Sequence, residues 1–287
     1  MDPFEYFESR TVEEAARVLS HYGKKARILA GGIDLIPKMQ KGEIETESVV
    51  NIQKIPGLDY IECDEREGLT FGAMTKLHSI EASKIIQNQY PILHEAIHQI
   101  TSVQTKFMGT AVGNLCVATP ASDVATSLFA LGARLKVTGV NGKREEPIEK
   151  FYIDYHQTSL KQGEMVTGVV LPHPFPGTGT AFLNLLRTRA DIAKISVAVA
   201  IVVQNGICRE ARIGIGAAAP TVFRAAKAEA LCIGQRITPE VINRVADMAA
   251  GETKPITDLR STAEYRREMA RVLVKRALEK AWEMGKG

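Results

Sequence analysis

The stretch Ile28-Leu29-Ala30-Gly31-Gly32-Ile33-Asp34-Leu35 is the one around which the rest of the chain can be interpreted. Its run of apolar residues is interrupted by two adjacent glycines and then continues. Because glycine lacks a Cβ, a strand that ends in Gly-Gly leaves several backbone N–H groups open, and such groups suit a bound pyrophosphate. Taken alone, a glycine pair is more often a plain turn than a ligand site. The stretch therefore predicts half of a dinucleotide site, if a second half exists.

A second segment with small residues, Gly109-Thr110-Ala111-Val112-Gly113-Asn114, lies about eighty residues further on and again allows close backbone approach. Thr119, Ser122 and Asp123 follow within ten positions of Asn114. An Asn amide can bridge phosphate and backbone, and a carboxylate can accept hydrogen bonds from ribose or ribityl hydroxyls. Asp123 could equally be a simple helix N-cap. The two glycine segments together predict two short loops that close on one ligand.

Length and composition exclude several classes of protein. A chain of 287 residues exceeds the usual size of one domain, so two or three packed units are expected. A net charge of +3 is too weak to indicate nucleic acid as a partner. No apolar run reaches the roughly 18 residues that a membrane helix needs. The first residues lack the pattern of a signal peptide, so we expect the protein in the cytoplasm.

Motifs of other reaction classes are absent from the sequence. Neither the Rossmann spacing G-x-G-x-x-G nor the hydrolase motif G-x-S-x-G occurs, and no phosphate loop follows the first glycine pair. The four cysteines are too far apart for a zinc ribbon or an iron–sulfur cluster. His94 and His98 stand four residues apart but lack a third ligand, so we interpret them as surface or partly buried polar residues and predict no metal site.

Several elements can be predicted from local patterns. Thr11-Val12-Glu13-Glu14 has the form of a capping box, so a helix should begin there. The run from Ala26 to Ala30 is typical of a strand buried between neighbours. Gly, Asn and Pro interrupt residues 113 to 120, which predicts a looped backbone, after which Asp123 would cap a helix that ends at Gly132.

The second half of the chain predicts a sheet covered by helices. Prolines and glycines are densest from Pro172 to Gly179, where we place a domain boundary. Alternating apolar residues from Ile195 to Val203 and a second run from Ala211 to Ala217 flank Asn205-Gly206, which is typical of a hairpin. The last helix should open with a capping box at Ser261-Thr262-Ala263-Glu264.

The order of these motifs resembles the FAD-binding medium subunit of the molybdenum hydroxylases, the xanthine dehydrogenase and carbon monoxide dehydrogenase family. The resemblance rests on Leu29-Ala30-Gly31-Gly32-Ile33-Asp34-Leu35, Val112-Gly113-Asn114-Leu115-Cys116-Val117-Ala118-Thr119-Pro120-Ala121-Ser122-Asp123 and Arg187-Thr188-Arg189-Ala190-Asp191-Ile192-Ala193-Lys194-Ile195. The tail, with Ala217-Ala218-Ala219-Pro220-Thr221, Arg224-Ala225 and Glu264-Tyr265-Arg266, is similar to the family's C-terminal flavoprotein domain.

The resemblance implies an α+β fold. Two subdomains of the vanillyl-alcohol-oxidase (PCMH-like) type would hold an extended FAD between them, and an α+β C-terminal domain with an antiparallel sheet and helices would follow. We expect the FAD-binding domain at 1–173, with subdomains at about 1–55 and 56–173. The C-terminal domain would span 177–287.

The resemblance also implies the cofactor-binding residues. They are Leu29, Ala30, Gly31, Gly32, Ile33, Asp34 and Leu35 in the first segment, Thr110, Ala111, Val112, Gly113 and Asn114 in the second, and Asp123 and Val166 beyond them. Backbone amides of both segments would hold the pyrophosphate, Asp123 would be the acidic ligand, and Val166 would lie against the isoalloxazine. Simple core packing is the alternative for Val166.

Several positions depart from the family's pattern. The family usually has Thr where this chain has Ile33, a first glycine where Val112 stands, and Arg-Asn where Phe107-Met108 stand. Several members also have Lys near the flavin at the position of Leu183. Polar contacts and backbone freedom are lost at these positions, so FAD could bind more loosely or have a different potential.

The function implied is electron transfer within a larger complex. Substrate would be hydroxylated at a molybdopterin cofactor on a large partner subunit, and electrons would pass through two [2Fe–2S] clusters on a small partner subunit to FAD, then to NAD+ or another acceptor. This chain would contribute no acid–base catalyst to the hydroxylation. Two alternatives are a stand-alone flavoenzyme of the vanillyl-alcohol-oxidase-like superfamily and a flavin-free scaffold subunit.

Overall fold

The computed structural model describes residues 3–100 and 102–286. Their helices and strands form three successive groups, each built on its own sheet, and a two-stranded ribbon accompanies the second sheet. The α+β class expected from the sequence is confirmed, because helices accompany one parallel sheet and two larger antiparallel sheets.

The first sheet is parallel and has the strand order β1-β3-β2. Its elements are β1 (Glu5–Glu8), α1 (Val12–Tyr22), a 3₁₀ turn (Gly23–Lys25), β2 (Ala26–Leu29), α2 (Leu35–Gln40) and β3 (Ser48–Asn51). The predicted capping box at Thr11 and Glu14 is present. The prediction that Ala26 to Ala30 is buried between strands was wrong. The strand β2 lies at the sheet edge and is half-buried, because the fully buried β3 takes the central position.

The second sheet is antiparallel, in the order β4-β5-β10-β6-β7, and most of its connections are short helices. Its strands are β4 (Ile61–Asp64), β5 (Gly68–Gly72), β6 (Arg134–Gly139), β7 (Gly142–Pro147) and β10 (Glu164–Leu171), with β8 (Tyr152–Asp154) and β9 (Gln157–Thr158) forming the ribbon. The helices are α3 (Leu77–Ala82), α4 (Lys84–Gln89), α5 (Pro91–His98), α6 (Val103–Met108), α7 (Ala111–Cys116), α8 (Asp123–Leu131) and α9 (Ile148–Phe151).

Two predictions for the segment before α8 were wrong. Residues 111–116, of which the last four were expected in a loop, form α7, because the Thr110 hydroxyl caps that helix by accepting from the Gly113 N–H. Asp123 is not the cap of α8. The Ser122 hydroxyl accepts from the Ala125 N–H, so Ser122 is the N-cap and Asp123 is the first helical residue. The helix ends at Gly132 in a left-handed conformation, as predicted.

The third sheet is antiparallel, in the order β11-β12-β13-β14, and carries three helices. The elements are β11 (Thr178–Leu185), β12 (Ile195–Gln204), β13 (Ile207–Gly216), β14 (Phe223–Arg224), α10 (Ala226–Cys232), α11 (Pro239–Glu252) and α12 (Ala263–Gly285). The predicted hairpin at Asn205-Gly206 is confirmed, with positive φ at both turn residues. The capping box predicted for α12 was wrong, because the cap is Thr262, whose hydroxyl accepts from the Tyr265 N–H.

Two hydrophobic cores lie beneath these sheets. The first core fills the space between the first two sheets and their helices, and it includes Phe182, Ala198 and Ala200 from β11 and β12. The second core lies between the third sheet and helices α10 to α12. Because strands β11 and β12 contribute to both cores, the two parts of the chain are packed against each other. Among the described residues, no helix is long and apolar enough to cross a membrane.

Candidate functional site

In the first glycine segment, residues 29–35, several carbonyl groups accept hydrogen bonds, whereas the N–H groups of the last four residues donate none to the described part of the chain. The Leu29 carbonyl accepts from the Ile52 N–H at 3.2 Å, and the Ala30 carbonyl accepts from the Gln53 side chain at 2.6 Å. Gly32 has a φ of +73°, which turns the backbone from β2 towards α2. None of the N–H groups of residues 32–35 donates a hydrogen bond to an acceptor within residues 3–100 and 102–286. The segment therefore presents several free backbone donors.

The two glycine segments touch each other. A Cβ added to Gly31 would lie 2.4 Å from the Met108 carbonyl oxygen and 2.8 Å from the Gly109 Cα. Only glycine can occupy this position without moving one backbone away from the other. The Lys76 ammonium donates to the same Met108 carbonyl at 3.0 Å and fixes that end of the contact. The structure thus brings together the two stretches that the sequence predicted to lie on one ligand.

The second glycine segment, residues 109–114, contains the N-cap and the first turn of α7, and most of its amides already donate hydrogen bonds. The Gly113 N–H donates to the Thr110 hydroxyl at 3.0 Å, and the Asn114 N–H donates to the Thr110 carbonyl at 3.0 Å. The Ala111 N–H donates to the Thr75 carbonyl at 3.3 Å. Val112 is almost completely buried in the first core. The free donors at this site therefore come mainly from the first segment.

A polar chain connects the second segment to α8. The Ser122 hydroxyl donates to the Asn114 amide oxygen and accepts from the Ala125 N–H. Ser122 is buried, and Asp123 follows it at the helix N-terminus. The arrangement restrains the Asn114 side chain and connects the second segment to the N-terminus of α8, where Asp123 lies. In the sequence, Asn114, Ser122 and Asp123 were noted within ten positions, but the hydrogen bond between Ser122 and Asn114 was not predicted.

The two carboxylate oxygens of Asp123 have different surroundings. Oδ2 accepts from the Asn184 side chain at 3.1 Å, whereas Oδ1 is buried and has no hydrogen-bond partner among the described residues. Burial raises the pKa of Asp123 to about 6, although hydrogen bonds from Asn184 and Ser196 favour the charged form. A buried acceptor without a partner costs free energy, so this oxygen is suited to a ligand donor.

Asn184 is a residue of this site that the sequence analysis missed. It lies on β11, in the third sheet, and no local motif connects it with Asp123. One signal was present in the sequence: Asn184 is a lone amide in the apolar run Ala181-Phe182-Leu183-Asn184-Leu185. A polar side chain in such a strand needs a partner when it is packed against another element.

The remaining predicted residues lie in different environments. Ile33 is 37% exposed beside the free amides, and its side chain lies near Gly109. Val166 is 3% exposed on β10 and belongs to the first core, so both interpretations of this residue stay open. Leu183 is half-buried against the second core. The side chains at positions 33 and 183 are apolar and therefore offer a ligand no hydrogen bond.

The paired histidines contact an acidic side chain and a carbonyl. His98 contacts the Glu81 carboxylate at 2.9 Å, His94 contacts the Glu81 carbonyl at 3.1 Å, and Lys106 forms an ion pair with Glu81 at 2.8 Å. No group of three metal-ligating side chains occurs within the part of the chain that the structure describes. His98 is exposed and His94 is partly buried, which agrees with the interpretation of the pair as surface or partly buried polar residues.

Comparisons with known proteins agree with this geometry. Residues 2–174 match the model of the FAD binding domain in molybdopterin dehydrogenase, and residues 180–281 match the model of the CO dehydrogenase flavoprotein C-terminal domain. The chain is 32% identical over 279 residues to the carbon monoxide dehydrogenase medium chain of Hydrogenophaga pseudoflava, covering 97% of each. It is 25% identical to the xanthine dehydrogenase FAD-binding subunit of Escherichia coli, covering 96% of this chain and 95% of that one.

A solved structure extends the similarity to three dimensions. A chain of the Hydrogenophaga pseudoflava carbon monoxide dehydrogenase, in a form that lacks the Mo-pyranopterin moiety of the molybdenum cofactor, superimposes with a TM-score of 0.95 at 34% identity. The alignment covers 99% of both chains. The fold, the two matching family models and the full-length similarity have one explanation: this chain belongs to the family of FAD-binding medium subunits of the molybdenum hydroxylases.

Proposed function

We propose that this chain holds FAD across its two glycine segments and serves as the electron-transfer subunit of a molybdenum hydroxylase complex. The single observation that carries this proposal is the contact of Gly31 with Met108 and Gly109 beside a row of free amides. A pyrophosphate needs several backbone donors that converge without intervening Cβ atoms. The family to which the chain belongs supplies the identity of the cofactor.

The residues present fit FAD in two further respects. The buried Asp123 Oδ1 lacks a partner within residues 3–100 and 102–286, and a hydroxyl or N–H donor of the cofactor would satisfy it. The amides of residues 32–35 would donate to the pyrophosphate, while Thr110 and Gly113 maintain the helix start beneath it. Bound FAD would accept electrons from the iron–sulfur clusters and deliver them to a further acceptor.

The role of the protein itself would be to bind, orient and shield. The first segment would supply donors, and Asp123 would fix one hydroxyl-bearing part of the cofactor. An apolar wall such as Val166 would exclude water from a flat ring system and help to tune its potential. None of these residues needs to transfer a proton during substrate hydroxylation, so the chain would contribute no acid–base catalyst.

The proposed partners are a large subunit with the molybdopterin cofactor and a small subunit with two [2Fe–2S] clusters. Support comes from the relatives, which are named as medium chains of carbon monoxide dehydrogenase. NAD+ as the final acceptor and the cytoplasm as the location stay predictions from the sequence. We also propose that the FAD-binding domain ends at residue 173 and that the C-terminal domain begins at residue 177.

Co-purification and titration test the function. The native assembly should contain flavin together with molybdenum and iron, and the isolated chain should bind FAD at one equivalent. Flavin without metals would instead favour the stand-alone flavoenzyme, and neither cofactor would favour the scaffold subunit. A chain that shows no flavin absorbance and takes up no FAD contradicts the proposal.

A further inference from the structure

The helix that carries Asp123 is packed against the third sheet. The Thr126 hydroxyl on α8 lies 3.2 Å from the Ser196 hydroxyl on β12. A Cβ on Gly216, at the end of β13, would lie 2.5 Å from each of these two hydroxyl oxygens. The Ala217 N–H donates to the Pro120 carbonyl at 2.7 Å, just before α8. The third sheet therefore fixes the position of the N-terminus of α8.

Asn184 extends this contact to the carboxylate itself. Its amide nitrogen donates to Asp123 Oδ2 at 3.1 Å, across 61 positions of sequence. A carboxylate can rotate about its terminal bond, so a hydrogen bond to one oxygen determines where the other lies. Asp123 forms no ion pair with any residue that the structure describes, so its polar restraints are the hydrogen bonds from Asn184, at 3.1 Å, and from Ser196.

We infer that Asn184 is a positioning residue for the cofactor. By binding Oδ2, it leaves the buried Oδ1 as the acceptor for a hydroxyl or N–H donor of FAD. The third sheet thereby takes part in cofactor binding, although it belongs to the other half of the chain. This inference rests on the proposed function, because it assumes that Asp123 contacts bound FAD.

A double-mutant cycle tests the inference. The full-length chain and the variants Asn184→Leu, Asp123→Asn and the double variant are stripped of flavin and titrated with FAD. We expect Asn184→Leu to weaken FAD binding about tenfold, because a hydrogen bond to a charged group is lost. Since Asn184 acts through the Asp123 carboxylate, the double variant should bind no more weakly than Asp123→Asn alone. Independent, additive effects of the two substitutions would overturn the inference.

The variant Asn184→Asp separates positioning from folding. It keeps the shape of the side chain but sets a second carboxylate against Asp123, and two adjacent carboxyl groups favour a shared proton. FAD binding by Asn184→Asp should therefore recover as the pH is lowered, whereas a purely structural defect would show no such recovery. The control Thr180→Val changes a buried hydroxyl on the same strand, near Met284, and should leave FAD binding unchanged.

The outcomes distinguish the inference from the proposed function. If the unmodified chain binds one equivalent of FAD and Asn184→Leu binds it with the same affinity, the positioning role fails while the function stands. If the unmodified chain takes up no FAD, both fail. If Asn184→Leu does not fold, the pH profile of Asn184→Asp decides, and a flat profile overturns the role.

Discussion

The two glycine segments look alike in sequence but differ in structure. Residues 29–35 form a turn with positive φ at Gly32 and free amides, and Ile33 beside them is exposed. Residues 109–114 lead into a helix with a capped N-terminus, and most of their amides already donate within the protein. In both segments a glycine lies closer to a neighbouring group than a side chain would allow, but the neighbouring group differs. At Gly31 the close neighbour is the backbone of residues 108–109, whereas at Gly113 it is the Thr110 hydroxyl.

This difference shows that a glycine motif does not by itself identify a ligand-binding loop. The first segment supplies donors, and the second supplies a rigid surface against which the first is held. If this division is correct, substitutions in the first segment should affect mainly FAD binding, and those in the second mainly stability. Four predictions test the comparison.

The largest effect is expected for Gly31→Val. The new side chain would overlap the Met108 carbonyl and separate the two segments, so we expect a loss of FAD affinity of more than a hundredfold and a loss of stability of about 3 kcal/mol. Flavin titration and urea unfolding measure the two effects. The control is Gly251→Val. Gly251 lies on α11 with open space around an added Cβ, so this substitution should change neither the FAD affinity nor the stability. Unchanged FAD affinity in Gly31→Val would contradict the contact.

The second-largest effect is expected on the stability of the protein, which should depend on pH because Asp123 titrates. Its pKa in the folded protein, about 6, lies above the ordinary value of 3.8, so between these pH values the folded state keeps a proton that the unfolded state has lost. The free energy of unfolding should therefore fall as the pH rises through this window, by up to about 3 kcal/mol.

The variant Asp123→Asn isolates this contribution. Without FAD, it should be more stable than the unmodified chain above pH 6, with a difference that disappears towards pH 4, while its FAD affinity falls. Urea unfolding at a series of pH values measures the difference. A stability difference that is the same at all pH values would show that Asp123 does not titrate in this window.

A smaller effect is expected for Thr110→Val. The substitution removes the hydroxyl that caps α7 and should cost about 1 kcal/mol of stability, with only a few-fold loss of FAD affinity. The matched control is Thr238→Val, which removes the equivalent cap of α11 in the other half of the chain and should cost a similar amount without any change in FAD binding. A hundredfold loss of FAD affinity in Thr110→Val would show that the second segment binds the ligand as directly as the first.

The smallest effect is expected for Ile33→Thr. A hydroxyl at this exposed position, beside the free amides, should tighten FAD binding by about fivefold, since one hydrogen bond contributes about 1 kcal/mol. Stability should change by less than about 0.5 kcal/mol. The same substitution at Ile256, which is 66% exposed, is the control and should leave binding unchanged. Equal or weaker binding by Ile33→Thr would show that position 33 does not face the cofactor.

Sequence reasoning succeeded where the determining contacts are local. The capping box at Thr11, the left-handed end of α8 at Gly132 and the hairpin at Asn205-Gly206 each depend on residues a few positions apart. The family could be identified for a related reason. Its motifs are short stretches whose order along the chain is visible without knowledge of their packing.

Some errors were local, since the caps of α8 and α12 lie one residue from the predicted positions. Others arose where a neighbour distant in sequence determines the structure. The edge position of β2 depends on β1 and β3, and the role of Asn184 depends on a helix 61 positions away. The helix α7 was missed for another reason. Gly113 and Asn114 favour a loop, but the cap at Thr110 and the burial of Val112 outweigh their low helix propensity.

Phe182, on strand β11, belongs to the first core, while its neighbour Ala181 belongs to the second. One strand therefore acts as a shared wall, and the Phe182 N–H also donates to Glu95 on α5 at 3.3 Å. If the chain were divided near Pro176, the first core would lose the side chains that β11 contributes to it. The apolar face of β11 that packs on the first core would become exposed. The two halves are thus expected to melt in a single cooperative step, and exchange of one half with that of a distant relative would require compensating changes in the other.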